Sequence, residues 1–310
     1  MNLLYVGPAD AHFEAWRQVI ARELPDVDFR ADSSARSDES FLAAMAYRPP
    51  QGRLSRIPGL KMVFALGAGV DGLLASGLPE AVDLVRMVNP AMIEAMADYV
   101  DFAVMRYHRG FDGLERDQRG HVWSWGGPTR PKSATRVGVL GLGRLGAATA
   151  VRLAAQGYAV RGWSRTAKSL PNVRTFTGAD ELPALLADTD ILVNLLPLTP
   201  ATRDLLDIRL FERLPRGARL IHAGRGEQLV EDHLLQALAD GRLAGATLDV
   251  FKEEPLPPAH PFWSHPRIRI TPHCASYSTP EDCWPLVRDA LDRLKQGQPP
   301  ATAVSREAGY

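Results

Sequence analysis

The chain has 310 residues, of which 45% are hydrophobic and 23% are charged, and 36 Lys and Arg balance 36 Asp and Glu to give a formal net charge of zero. A neutral chain lacks the basic excess expected of a protein that binds nucleic acid or an anionic membrane, so the expected partner is a small molecule. At this length two domains are expected, because single cores stop growing at roughly 250 to 300 residues.

The N-terminal third of the chain predicts a mixed α/β layer. Residues 2–6 have the pattern of a buried strand and residues 11–24 that of an amphipathic helix, and strands are again predicted at residues 60–66 and 82–88. One long helix is then expected over residues 95–120, because an apolar stripe runs through Met96, Val100 and Val104.

Residues 121–136, "HVWSWGGPTRPKSATR", are rich in Gly, Pro and Trp and therefore predict an extended loop. Exposed tryptophans in this loop would suit a subunit interface, and a loop folded back on its own domain accounts for them equally well.

A second α/β series begins at residue 136. Its apolar strands show no regular alternation and are joined mostly by helices, which predicts a parallel sheet covered on both faces. The predicted strands lie within residues 136–143, 158–164, 190–198, 218–224, 244–251 and 268–273, and the predicted helices within 145–157, 231–241 and 285–297.

A glycine-rich turn follows the first strand of this series. "VGVLGLGRLG" places Gly141, Gly143 and Gly146 between a buried strand and an alanine-rich helix. In a dinucleotide-binding fold the first glycine permits the tight turn, the second lets the backbone approach a pyrophosphate, and the third allows the helix to pack closely on the sheet. An ordinary strand-to-helix turn can show the same pattern, but here the next strand also follows in the required order.

The end of that next strand predicts the choice of cofactor. NAD-binding folds usually present an acid to the ribose about 20 residues after the first glycine. Here "WSRTAK" supplies Ser164, Arg165, Thr166 and Lys168, and no acid follows until Asp180. Two cations would attract a 2′-phosphate, and the two hydroxyls would donate hydrogen bonds to it. The stretch therefore predicts an NADP(H) pocket, with a solvated loop as the alternative.

Three charged stretches follow successive predicted strands, at the edge where an open α/β sheet binds its ligands. They contain Arg225 in "HAGRGEQL", Asp249 and Glu254 in "LDVFKEEPL", and His273 in "ITPHCASYS". Each residue taken alone is more simply a surface charge or a histidine at a strand end, but their coincidence with the glycine loop indicates a common site.

In order and spacing these motifs resemble the D-isomer-specific 2-hydroxyacid dehydrogenase family, and "LGAGVDGLL" at residues 66–74 resembles its substrate loop. The resemblance is closest to the glyoxylate/hydroxypyruvate reductase A type. It implies an α/β fold of two Rossmann-like domains with doubly wound parallel sheets. The flavodoxin-like substrate domain would comprise residues 1–98 and 277–310, with the NAD(P)-binding Rossmann domain, residues 99–276, inserted between them.

The implied reaction is NADPH-dependent reduction of glyoxylate or hydroxypyruvate, with NAD(H) as the less favoured cofactor and no metal ion. Histidine exchanges protons near neutral pH, so His273 suits proton donation to the developing alkoxide. Glu254 would orient its ring, and Arg225 would bind the substrate carboxylate, a bidentate task that Lys performs poorly.

By resemblance, backbone amides around Ala68, Gly69 and Val70 also bind the substrate. The cofactor contacts implied by the family are Gly141, Gly143, Arg144, Leu145, Gly146, Ser164, Arg165, Thr166, Lys168, Leu196, Pro197, Thr202, Ala223, Gly224, Asp249 and Ala275. The family also implies a homodimer.

One residue departs from the family pattern. His222 stands where the family usually has Asn, two or three residues before the arginine. We expect this change to alter loop packing or cofactor contacts without abolishing activity. Cys274 is not expected to act as a nucleophile, because adjacent residues of an extended segment point to opposite faces.

Several alternatives remain. The substrate could be a branched, aromatic or phosphoglycerate-like acid. A formate dehydrogenase would carry Gln at the position of Glu254, and a non-catalytic, dinucleotide-sensing corepressor is the alternative from another class.

The expected location is the cytoplasm. Cys274 and Cys283 are the only cysteines, which indicates a reducing compartment. The N-terminal residues show no signal-peptide pattern, and no run of about 18 apolar residues predicts a membrane span.

Overall fold

The computed structural model describes residues 1–36, 38–125 and 130–305. The chain divides into two compact units, one formed by Met1–Ala91 together with the chain from Ser278 onward, and the other by Met92–Tyr277. The sequence analysis places the domain boundaries after residues 98 and 276, whereas the compact units change after residues 91 and 277. Residues 126–129 of the predicted Trp-bearing loop lie outside the described residues.

The strands of the described residues pair in parallel within two sheets. They are β1 (Asn2–Val6), β2 (Asp28–Ala31), β3 (Ala43–Ala46), β4 (Met62–Ala65), β5 (Asp83–Arg86), β6 (Arg136–Leu140), β7 (Ala159–Ser164), β8 (Arg174–Thr177), β9 (Ile191–Asn194), β10 (Ala218–His222), β11 (Leu243–Leu248) and β12 (Ile268–Ile270).

The α-helices of the described residues connect these strands. They are α1 (Ala11–Glu23), α2 (Asp71–Ala75), α3 (Pro90–His108), α4 (Phe111–Arg119), α5 (Arg144–Ala155), α6 (Gly178–Ala187), α7 (Ile208–Arg213), α8 (Glu231–Ala239) and α9 (Pro280–Lys295). None of these helices is long and apolar enough to cross a membrane.

The first unit has the strand order β2-β1-β3-β4-β5, which is the flavodoxin-like doubly wound order. The second has the order β12-β11-β10-β9-β6-β7-β8, a Rossmann sheet in which the order reverses between β6 and β9. The predicted fold class is therefore confirmed. Because the strands are parallel, the loops after β6, β9, β10, β11 and β12 all leave the same edge of the second sheet.

Each sheet is covered by apolar side chains on both faces. In the second unit one face packs residues such as Leu192 and Leu220 against α7 and α8, and the opposite face packs Val139 and Val193 against α3 and α5. Both faces of the first sheet are likewise buried. Rigid strands packed in this way hold the ends of neighbouring strands at fixed spacing.

Three strands were not predicted, namely β2, β3 and β8. β3 consists of "AAMA", whose alanines have little strand preference although all four residues are buried. β2 and β8 each lie at one edge of a sheet and carry charged residues, so the sequence pattern resembles that of a loop.

The prediction of one helix over residues 95–120 is wrong, because the helix is interrupted between α3 and α4. Gly110 adopts a left-handed conformation with φ of 68°, and its N–H donates a hydrogen bond to the Tyr107 carbonyl at 3.1 Å. Glycine at this position ends a helix at little steric cost. The last helix also begins earlier than predicted, at Pro280, where Thr279 and Asp282 form a capping box.

Candidate active site

The glycine loop turns tightly between β6 and α5. Gly141 has φ of 97°, and a Cβ there would lie 2.9 Å from the carbonyl carbon and oxygen of Leu195. A Cβ at Gly146 would lie 1.8 Å from the Gly141 carbonyl oxygen, whereas a Cβ at Gly143 would meet nothing within 4 Å. The first and third glycines are thus required by packing, and the second faces open space.

In a dinucleotide-binding fold the phosphates approach the backbone at this second glycine. Helix α5 begins at Arg144, directly after Gly143, and no side chain caps it. The first N–H groups of an α-helix, here those of Arg144, Leu145 and Gly146, have no acceptor within the helix, and the helix dipole makes this end positive. The loop lies at the reversal between β6 and β9, where doubly wound sheets bind nucleotides.

The predicted 2′-phosphate pocket follows β7, the neighbour of β6 in the sheet. β7 ends at the buried Ser164, and Arg165, Thr166 and Lys168 are exposed directly beyond it. The Ser164 hydroxyl donates to the Thr166 carbonyl at 2.8 Å. Ser164 is therefore not the free donor that the sequence suggested, because its hydroxyl hydrogen already shapes the loop. Its oxygen is left as an acceptor only.

The loop after β9 contains three more of the predicted cofactor contacts. The Thr202 hydroxyl donates to the Pro197 carbonyl at 2.7 Å and accepts from the backbone N–H of Thr199 at 2.8 Å. The carbonyls of Leu196 and Pro197 accept from the side-chain amide of Gln228 at 3.2 and 3.0 Å. These polar atoms hold the loop in shape, and Gln228 ties it to the segment that carries Arg225.

The predicted arginine stands in a short turn after β10. Ala223 and Gly224 lead to Arg225, and a Cβ at Gly224 would lie 2.3 Å from the side-chain oxygen of Gln228. The Arg225 guanidinium is half-buried and donates to the Gly224 carbonyl at 2.9 Å. Its backbone N–H donates to Gln228 Oε1 at 2.9 Å.

His222, the departure from the family pattern, is fully buried beneath this turn. Its Nε2 contacts the Arg225 carbonyl oxygen at 2.9 Å, and its Nδ1 lies 3.1 Å from Asn194 Nδ2. Both contacts are satisfied when the neutral ring carries its proton on Nε2 and accepts at Nδ1. Burial lowers the pKa of His222 from 6.5 to about 4, so the ring is neutral in the folded protein at neutral pH.

Acid should therefore destabilise the protein through His222. Between pH 6.5 and pH 4 the unfolded chain binds a proton at this ring that the folded protein does not, so the free energy of unfolding falls as the pH is lowered through this window. We expect the protein to lose about 2 kcal/mol more than its His222→Asn variant between pH 7 and pH 5. Urea unfolding of both proteins at the two pH values measures this difference, and parallel pH dependence would contradict it.

His273 and Glu254 form a direct pair. His273 Nδ1 lies 2.9 Å from Glu254 Oε2, and Glu254 Oε1 accepts the backbone N–H of Phe251 at 3.1 Å. The His273 side chain is 35% exposed and that of Glu254 is 16% exposed. Because Nδ1 is engaged by the carboxylate, a contact of this ring with a substrate would have to be made through Nε2.

Asp249 holds the segment that carries His273. Its carboxylate is buried and accepts from the Thr271 hydroxyl at 2.7 Å and from the backbone N–H groups of Cys274 and Ala275 at 2.9 Å each. The His273 N–H donates to the Asp249 carbonyl at 2.8 Å, and His273 itself adopts a left-handed φ of 53°. The Asp249 carboxylate thus has a structural use that the sequence did not reveal, and its contact with the cofactor stays a prediction.

The thiol of Cys274 is poorly suited to nucleophilic chemistry. Burial, together with the nearby charge of Asp249, raises its pKa, so that the unreactive protonated form dominates at neutral pH. This agrees with the expectation that Cys274 is not a nucleophile.

Gly226 brings the arginine and glutamate segments together and was not predicted. A Cβ there would lie 1.9 Å from the carbonyl carbon of Phe251 and 2.4 Å from the backbone nitrogen of Lys252. Only a glycine permits this approach, and Phe251 is the residue whose N–H holds Glu254. The segments with Arg225, Glu254 and His273 thus come from three adjacent strands and are joined by direct contacts.

The predicted substrate loop belongs to the first unit, where it follows β4. Ala68 and Gly69 are half-buried and Val70 is buried before α2. Arg86, at the end of β5, donates from Nε and Nη2 to the Ala68 carbonyl at 2.9 and 2.7 Å. Arg86 was not predicted, and its forked contact holds the loop in one conformation.

The sequence and the fold of this chain both match those of known proteins, and the matches indicate its family. A model described as "D-isomer specific 2-hydroxyacid dehydrogenase, NAD binding domain" matches residues 102–275. A glyoxylate/hydroxypyruvate reductase A from Serratia proteamaculans is 41% identical over the full length of both chains.

Solved structures agree with this match. A D-isomer specific 2-hydroxyacid dehydrogenase from Xanthobacter autotrophicus Py2, in complex with NADPH and MES, is 40% identical with a TM-score of 0.92, covering 100% of this chain and 99% of that one. An NADPH-dependent glyoxylate/hydroxypyruvate reductase from Sinorhizobium meliloti, in complex with NADP and sulfate, is 34% identical with a TM-score of 0.89 at the same coverage.

Proposed function

The chain belongs to the D-isomer-specific 2-hydroxyacid dehydrogenase family, and from that premise we propose that it reduces glyoxylate or hydroxypyruvate to the 2-hydroxy acid with NADPH. The observation that carries the proposal is the 2.9 Å pair of His273 and Glu254, next to the turn that presents Arg225. The names of the relatives support the choice of substrate and cofactor.

The side chains divide the chemistry between them. NADPH, when bound, supplies the hydride that reduces the carbonyl carbon of the 2-oxo acid. Protonated His273 gives its Nε2 proton to the carbonyl oxygen as negative charge develops there, so that the product hydroxyl is neutral. Glu254 accepts from Nδ1, which fixes the ring orientation and directs Nε2 as the proton donor.

Arg225 binds the carboxylate of the substrate and stabilises charge on the reacting oxygen. A guanidinium does this in a forked geometry that matches a carboxylate. Ala68, Gly69 and Val70 stay predicted contacts for the substrate, in a loop that Arg86 holds in shape. The other 2-oxo acids stay alternatives, whereas Glu254, a carboxylate rather than an amide beside His273, disfavours formate oxidation.

Arg165 should decide the preference for NADPH. We expect Arg165→Ala to weaken NADPH binding roughly 30-fold, about 2 kcal/mol for a lost charged hydrogen bond, and to change NADH binding less than twofold. Fluorescence titration with each cofactor measures both constants. Arg174→Ala is the matched control. Arg174 is the first residue of β8 and pairs in register with Arg161, whereas Ser164 pairs with Thr177 at the other end of that strand. An unchanged ratio of the two affinities would remove Arg165 from the pocket.

The initial rate of cofactor oxidation tests the function directly, with glyoxylate and with hydroxypyruvate, each against NADPH and NADH. Rapid oxidation of NADPH by either acid is the expected result. Binding of NADPH without oxidation by these or by a panel of branched and aromatic 2-oxo acids would instead favour the dinucleotide-sensing alternative.

A homodimer in the cytoplasm completes the proposal. Trp123 and Trp125 are 83% and 91% exposed, with ring centroids 6.0 Å apart. Two adjacent exposed indoles support an interface with a second copy of the chain. Cys274 and Cys283 are both free thiols, which supports a reducing compartment. Sedimentation equilibrium of the purified protein measures the mass of the assembly, and a monomer at micromolar concentration would contradict the proposed dimer.

A further inference from the structure

Three polar side chains, Asn194, His222 and Gln228, form a buried group below the arginine turn, and none of them is exposed to solvent. Asn194 Nδ2 donates one hydrogen to His222 Nδ1 at 3.1 Å and the other to Gln228 Oε1 at 2.8 Å. Burying three such groups is costly unless their hydrogen bonds are made. The contacts of the group satisfy most of its polar atoms, whereas Asn194 Oδ1 is buried without a hydrogen-bond partner among the described residues.

The group holds both polar atoms of the Arg225 backbone. His222 Nε2 donates to the Arg225 carbonyl at 2.9 Å, and Gln228 Oε1 accepts the Arg225 N–H at 2.9 Å. The Arg225 peptide units are thus held on both sides, and the direction in which the Cα–Cβ bond of Arg225 leaves the turn is set with them.

The same group is also hydrogen-bonded to the loop after β9, which contains predicted cofactor contacts. Gln228 Nε2 donates to the carbonyls of Leu196 and Pro197 at 3.2 and 3.0 Å, and Asn194 is the last residue of β9, directly before that loop. The Arg225 turn, the end of β9 and the loop that follows it therefore share one set of hydrogen bonds.

We propose that His222 is a positioning residue for the bound 2-oxo acid: with Asn194 and Gln228 it clamps the Arg225 backbone so that the guanidinium meets the substrate carboxylate in a productive orientation. The proposal rests on the proposed function. It assigns His222 a role toward the substrate, because Nε2 of the ring donates to the turn that carries Arg225.

The length of the side chain at position 222 determines whether it can donate to the Arg225 carbonyl. The amide nitrogen of Gln lies about where Nε2 of histidine lies, whereas that of Asn corresponds to Nδ1 and falls short of the Arg225 carbonyl. His222→Gln thus keeps the clamp, and His222→Asn loses it. Small errors in the placement of a binding group cost catalysis heavily, so a shifted Arg225 should be visible in kinetics.

The test compares these two variants with the unaltered protein. We expect His222→Asn to raise the KM for the 2-oxo acid and the Kd of oxamate, an unreactive mimic, by roughly 10- to 100-fold in the NADPH-bound protein. The Kd of NADPH should change less than twofold, and His222→Gln should restore most of the oxamate affinity. Thr189→Val is the control, since it removes a buried hydrogen bond to the Leu185 carbonyl away from the site.

The outcomes separate the two proposals. If the unaltered protein neither reduces a 2-oxo acid nor binds oxamate, the proposed function fails. If it does both and His222→Asn matches it in KM and oxamate affinity, the clamp is overturned. Thermal unfolding of each variant in the presence of NADPH verifies folding, and a loss of oxamate affinity in Thr189→Val equal to that in His222→Asn would reduce the effect to general destabilisation and overturn the clamp.

Discussion

Replacing His273 by Asn is expected to lower kcat by about a thousandfold, roughly 4 kcal/mol of transition-state stabilisation, because the proton donor is lost. Asn is the most informative replacement at this position, because it removes the proton donor and changes little else. It tolerates the left-handed backbone that His273 adopts, with φ of 53°, and its amide can still donate to Glu254. Single-turnover reduction under saturating NADPH measures the effect on the chemical step.

Two comparisons make the result specific. The Kd of NADPH should stay within twofold of its original value, because His273 is not assigned to the cofactor. Glu254→Gln should cause a smaller loss, since an amide oxygen can still accept from Nδ1 and hold the ring, although the hydrogen bond is no longer charge-assisted. Turnover by His273→Asn within tenfold of the unaltered protein would mean that the proton comes from another group.

Replacing Arg225 by Lys is expected to lower kcat/KM by roughly a thousandfold. The positive charge remains, but an ammonium cannot make the two parallel hydrogen bonds that a guanidinium offers to a carboxylate. The backbone clamp by His222 and Gln228 involves only main-chain atoms of Arg225 and should survive the substitution. Steady-state kinetics, together with oxamate titration, separates weakened binding from slowed chemistry.

A matched substitution tests whether the geometry of the guanidinium matters at this position alone. Arg209, at the start of α7, is 84% exposed and pairs with Asp207 at 2.7 Å. Arg209→Lys should leave kcat/KM unchanged, because exposed ion pairs contribute little. Equal activity of Arg225→Lys and the unaltered protein would show that charge suffices and would refute forked recognition of the carboxylate.

Much of the site could be predicted because it follows local rules. Gly146 is required by a close approach within one strand-turn-helix unit, whereas Gly141 has a positive φ and also approaches Leu195 after β9. The spacing of the two glycines is nevertheless visible in the sequence alone. Arg225, Glu254 and His273 follow three consecutive strands, and parallel strands deliver their C-terminal ends to one edge. Edge strand β8 was missed because strand pairing, rather than apolar pattern, makes it a strand.

The strand-helix alternation and the order of the motifs were sufficient by themselves for the fold class and the family resemblance. They also predicted that Arg225, Glu254 and His273 follow strands at one edge of the sheet. What they left undecided was the hydrogen-bond partner of each polar side chain, whether that partner lies two residues away or twenty-five. Ser164 is committed as a donor to Thr166, Asp249 holds the backbone after His273, and His222 reaches the Arg225 carbonyl. A side chain's hydrogen-bond partner depends on strand register and loop packing, so only the tertiary structure could decide which polar groups are engaged and which are left to meet a ligand.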